Sequence, residues 1–149
     1  MNSEREPENR SALESAVRDG FLEKSSIGRG LLSPALISNG RGSTVEHSLV
    51  SGLRASESFV FSVAFITSSA IAQLKQHFLD FNGDGTIVTS DFLMFNQPDA
   101  FRELLRLQER AGISVMRHPA SGFHPKGYIF RGREHLTAMI GSSNLTSQA

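Results

Sequence analysis

The chain has 149 residues, 39% of them hydrophobic, with no cysteine and with 15 basic side chains against 15 acidic ones. That length supports one domain with a hydrophobic core. Without a thiol there can be no disulfide scaffold, thiolate zinc site, iron–sulfur cluster or cysteine nucleophile, which fits a reducing compartment, and a balanced charge exerts no bulk pull on polyanions.

In chain order, the polar segment 1–10 predicts a disordered tail. Ser11 and Glu14 have capping-box spacing, and Leu13, Val17 and Phe21 recur every four residues, which predicts an amphipathic helix over 12–24. Residues 28–42, rich in Gly, Ser, Pro and Asn, predict a loop. Thr44 opens a second helix, with Val45, Leu49 and Leu53 on one side, ending near Ala55. Phe59–Phe65 is a compact apolar run and reads as a strand buried on both faces. Ser68 caps a helix through Asp80 in this reading, and a turn at 82–85 leads to a short strand at 86–89. Pro98 suits the first turn of a helix to about Arg110, with Phe101, Leu104, Leu105 and Leu107 apolar and Gly112 just past its end. Strands follow at 113–117, 123–131 and 136–140, the last two as an antiparallel hairpin. The sum is an α/β fold: a central mixed, mostly parallel sheet with helices on both faces.

No apolar run approaches the ~20 residues that span a bilayer, and no signal segment opens the chain, so a cytoplasmic protein without membrane contact is expected. The charge is unevenly spread. Residues 1–100 carry 8 basic and 12 acidic side chains, a net of −4, whereas residues 101–149 carry 7 and 3, a net of +4. A basic C-terminal third points to an anionic ligand there, although Arg102, Arg106 and Arg110, four apart, also read as a solvated helix face.

The chemistry concentrates in Gly122-Phe123-His124-Pro125-Lys126-Gly127-Tyr128-Ile129-Phe130 and Gly141-Ser142-Ser143-Asn144. In a strand, His124 and Lys126 point the same way, because side chains alternate with period two. A hairpin brings the Gly-Ser-Ser-Asn turn toward one end of that strand. An imidazole, a fixed cation and neutral donors suffice for phosphoryl transfer without a metal.

These blocks resemble the signature of the phospholipase D superfamily, His-x-Lys followed by a Gly-Ser-x-Asn turn. With the segments FVFSVAFIT and TSDFLMFNQPDAF, the stretch 12–149 resembles the N-terminal phospholipase D-like module of bacterial superfamily 2 helicases and restriction-type nucleases. The resemblance implies a single phospholipase D-like half-domain over 11–149, cut short at its C-terminal end. It implies a phosphodiesterase or nuclease acting on DNA. His124 would be the nucleophile that forms a phosphohistidine, and Lys126 would neutralise the phosphate oxygens. Ser142 and Asn144 would hold the phosphate, with no metal or cofactor. Arg131 stands where the family pattern has Asp, and Glu134 is a candidate substitute. One motif copy is present, so a second His would come from a homodimer or from a C-terminal helicase portion beyond this chain. No Walker A sequence is present, so these residues hydrolyse no ATP by that route. The alternative is a non-catalytic docking module for DNA or phosphate.

A rival motif occupies Asp80–Asp91. Its oxygen ligands at the first, third and fifth places, Gly at the sixth and an acid at the twelfth match an EF-hand calcium loop, with Asp in place of the usual Glu. The same residues also suit a tight helix-to-strand turn.

Overall fold

The computed structural model describes residues 35, 37, 44–91, 96–119 and 122–146. The expected tail at 1–10, the helix at 12–24 and most of the loop at 28–42 lie outside these residues. The elements belong to one compact unit, Arg41–Ala149. They are α1 (Val45–Ala55), β1 (Ser58–Val63), α2 (Ser68–Leu79), β2 (Asp84–Thr89), α3 (Pro98–Ala111), β3 (Ser114–Arg117), β4 (Lys126–Arg131) and β5 (Leu136–Ile140).

Local chemistry explains the boundaries. The hydroxyl of Thr44 accepts from the His47 N–H at 3.0 Å and starts α1. For α2 the cap is Thr67, whose hydroxyl accepts from Ala70 N–H, so Ser68 is the first helical residue rather than the cap. Pro98 opens α3, where its missing N–H costs no helical hydrogen bond, and Gly112 closes it at φ 65°. The hairpin strand begins at Lys126 rather than Phe123, because Pro125 has no N–H to give to a ladder.

The sheet order is β3-β2-β1-β4-β5. β1 pairs in parallel with β2, and β2 with β3. β4 runs antiparallel to both β1 and β5. The sheet is therefore mixed, but its four pairings divide equally between the two kinds, and it is not mostly parallel. The four-residue β3 and the hairpin supply only one crossover beyond the β1–α2–β2 unit.

All three described helices lie on one face. Phe78 of α2 meets Phe59 and Phe61 of β1 at ring separations of 5.8 and 6.0 Å. Phe61 in turn meets Tyr128 and Phe130 of β4 edge-on. On α1, Gly52 lies so close to Phe130 that an added Cβ would stand 2.7 Å from the ring. Leu104 and Leu107 of α3 complete this layer. The opposite face is open among the described residues: Val60 is 40% exposed, Ile129 42% and Met116 55%. The helix expected at 12–24 lies outside the described residues, so helices are described on one face alone. The apolar run at 59–63 buries only alternate residues, Phe59, Phe61 and Val63, so β1 is covered on one face. Leu105, expected on the apolar side of α3, is also exposed.

The EF-hand reading fails on geometry. Residues 84–89 are drawn into β2, and these six extended residues put Asp84 and Thr89 about 16 Å apart, where a calcium loop must curl. Asp80 accepts from Gln76 at 2.7 Å at one end, and Asp91 pairs with Arg117 at 2.6 Å at the other. Among the described residues no group of three His, Asp or Glu could hold a metal ion. No helix among them is long and apolar enough to cross a membrane.

Candidate functional site

The site lies where β1 ends. The chain bends at Ala64, whose N–H donates to Pro125 C=O at 3.0 Å. Residues 65–67 then pair with Leu145: Leu145 N–H donates to Phe65 C=O at 3.1 Å, and Thr67 N–H to Leu145 C=O at 3.0 Å. The sheet thus gathers three separate segments at one edge: the end of β1, the start of β4, and the turn that follows β5.

Lys126 and His124 are in contact. The Lys126 ammonium lies 2.8 Å from Nδ1 of His124 and 3.2 Å from Nε2, and donates to the His124 C=O at 3.3 Å. A Lys ammonium has only donors, so the imidazole can receive this hydrogen bond only at a nitrogen that carries a lone pair. By register Lys126 pairs with Val63 and shares the face of Tyr128 and Phe130, at the rim of the helix-covered side.

Phe65 joins the parts. Its ring lies 5.3 Å from His124, edge-on, and 5.9 Å from the Lys126 ammonium. Its backbone N–H donates to Oδ1 of Asn144 at 3.3 Å. With that oxygen engaged, Asn144 offers its NH2 group as a donor. Tyr128 steadies the turn, its hydroxyl donating to the Ser143 C=O at 2.9 Å. Burial pushes the Tyr128 phenol well above its ordinary range, so it remains a donor. Ser142 is exposed in the turn, one residue from that tie.

The structure places the other expected residues elsewhere. Arg131 is at the far end of β4, about 16 Å along the strand from Lys126. Glu134 follows it in the turn between β4 and β5. It cannot stand in for an acidic partner of His124, because β4 is straight and holds the two ends apart. Of the basic stripe on α3, Arg102 and Arg106 pair with Asp99 and Glu103 one turn away. That is a solvated helix face, not a ligand site.

Two contributors escaped the sequence reading. Phe65 sits in an apolar run like any strand residue, and nothing local marks its N–H as the one that reaches Asn144. Asn96 is the other. It is buried, and its side chain accepts from Ile66 N–H at 2.7 Å and donates to Ala64 C=O at 2.9 Å and Ser90 C=O at 2.6 Å. Thr89, its fourth neighbour at 3.2 Å, is fully buried. Asn96 therefore pins the bend of β1 from the side opposite Leu145. A crevice between α1 and α2 touches the site only at Asn144, and Glu46 in its wall opposes an anion.

Compared with known proteins, the chain matches no family model, and no curated protein matches its sequence.

Proposed function

We propose that this chain is a phosphodiester-handling module of phospholipase D type, a metal-independent phosphodiesterase or nuclease acting on DNA. It would serve in the cytoplasm as an accessory domain of a helicase or restriction system. The observation that carries this reading is the His124–Lys126 contact, held over Phe65 beside Asn144. A nucleophile, a cation and an amide donor are thereby held around one phenylalanine.

In the reaction, Nε2 or Nδ1 of His124 attacks phosphorus, a nitrogen–phosphorus bond forms and a phosphorus–oxygen bond breaks. Lys126 and the Asn144 and Ser142 donors stabilise the charge that develops on the non-bridging oxygens. The leaving oxygen takes a proton from a second imidazole, supplied by a second copy of the chain or by a further part of the protein. Water then cleaves the phosphohistidine and releases the phosphate end.

A second reading, a docking module that binds DNA without cutting it, is favoured by one observation. Neither Arg131 nor Glu134 brings a carboxylate to orient His124. The two readings separate on hydrolysis of bis(p-nitrophenyl) phosphate and of labelled DNA in EDTA. Cleavage lost in His124→Ala supports catalysis. DNA binding without cleavage, weakened in Lys126→Ala, supports docking. Neither cleavage nor binding overturns both.

A further inference from the structure

Next to the site lies a second aromatic arrangement that the proposed chemistry does not use. β3 ends at Arg117, and the His118 N–H donates to Thr89 C=O at 2.7 Å, which fixes His118 at the same edge of the sheet. Gly122 adopts φ 83°, a left-handed conformation open mainly to glycine, just before Phe123. Phe123 lies against His118, rings 4.7 Å apart and inclined by only 24°. His118 is exposed and Phe123 half-buried. The next residue along is His124, whose ring meets Phe65. Two ring pairs, His118–Phe123 and His124–Phe65, and the cation Lys126 thus lie at one end of the sheet.

We propose that the His118–Phe123 stack is a nucleobase subsite, which makes the ligand of this rim single-stranded nucleic acid. The inference rests on the phosphodiester reading of His124 and Lys126, and it adds the substrate class. A phosphate and the base of its own nucleotide are joined through one sugar. The phosphate-handling pair and the stacked rings are joined through one peptide bond. A strand whose phosphate meets Lys126 therefore has a base within reach of the Phe123–His118 surface. Only an unpaired base can lie on it, because the faces of paired bases are covered by their neighbours in the duplex. Stacking on rings with cations interleaved tolerates any base sequence.

The test is fluorescence anisotropy with labelled oligodeoxyuridylate, oligouridylate, an abasic deoxyribose-phosphate strand of equal length and a blunt DNA duplex. The wild type should bind the two base-bearing single strands more tightly than the abasic strand or the duplex. Oligodeoxyuridylate shares its base with oligouridylate, so the tighter of the two identifies the sugar. Phe123→Leu, which keeps an apolar side chain without the ring, and His118→Ala should each weaken base-bearing strands about tenfold and leave the abasic strand unchanged. Equal binding of abasic and base-bearing strands, or full affinity in both variants, would overturn the subsite. Loss of abasic-strand binding in Lys126→Ala keeps the phosphodiester reading standing even then. Its retention there sinks that reading whatever the rings do.

Discussion

The backbone N–H of Phe65 and the side-chain oxygen of Asn144, 79 residues apart in sequence, are hydrogen-bonded at 3.3 Å. This one bond couples the bend of β1, which seats the His124 ring, to the turn after β5, which carries the donors. The two halves of the proposed cradle are positioned by the same backbone.

Asn144→Asp separates holding from binding. Its carboxylate can still accept from Phe65 N–H, so stability should change by less than about 1 kcal/mol. It loses the NH2 donor and adds a negative charge, so affinity for phosphate should fall at least tenfold. Asn144→Ala should lose both, with about 1 kcal/mol of stability. Urea unfolding and phosphate titration by calorimetry read the two effects.

Asn96→Ala should be the more damaging change. It strands Ile66 N–H in a buried place and removes one hydrogen bond each from Ala64 C=O and Ser90 C=O. A buried polar group left unpaired costs about 1–3 kcal/mol, so a total of roughly 3 kcal/mol is expected. The denaturation midpoint should drop accordingly, more than for any single change at His124 or Lys126, which are not buried.

Tyr128 gives a pH dependence with a definite sign. Burial raises its phenol above the unfolded value of about 10. The folded chain thus keeps the proton that the unfolded chain releases. Stability from this group is full below about pH 10 and declines as pH rises further. Tyr128 is the only tyrosine, so its near-ultraviolet tyrosinate absorbance reports it directly. That band should appear together with unfolding and not before. Tyr128→Phe should lose about 1 kcal/mol at neutral pH with the Ser143 bond, and should lack the alkaline decline due to this group.

Asp91 and Arg117 bear on the edge of the site from the β2 side. The Arg117 hydrogen bond holds the Asp91 carboxyl below the ordinary carboxylate range. Its contribution is present above the unfolded value near 4 and fades as pH falls through the lower folded value. Carboxyl NMR should give Asp91 a midpoint below that of Asp91 in an Arg117→Ala variant.

Much of the fold was legible because periodicity is a local signal. Val45, Leu49 and Leu53 mark α1, and Pro98 and Gly112 bracket α3. The His-x-Lys spacing put His124 and Lys126 on one side of the chain, and the structure places them in contact. What escaped depends on residues distant in sequence. The FVFSV run reads as buried on both faces because the outward Val60 is as apolar as its inward neighbours, and Ser62 alone marks the open face. The Asp80–Asp91 spacing fits a calcium loop only while the chain is free to curl, and pairing of residues 84–88 with β1 holds it straight. Asn96 finds its partners at Ala64 and Ile66, which no local pattern announces.

The most direct measurement is an NMR titration with dimethyl phosphate in EDTA. The ring resonances of His124 and the side-chain amide of Asn144 should move together and saturate, and Lys126→Ala should abolish the movement. If the phosphodiester shifts neither group, or shifts them equally without the Lys126 ammonium, the rim of this sheet is not a phosphate cradle.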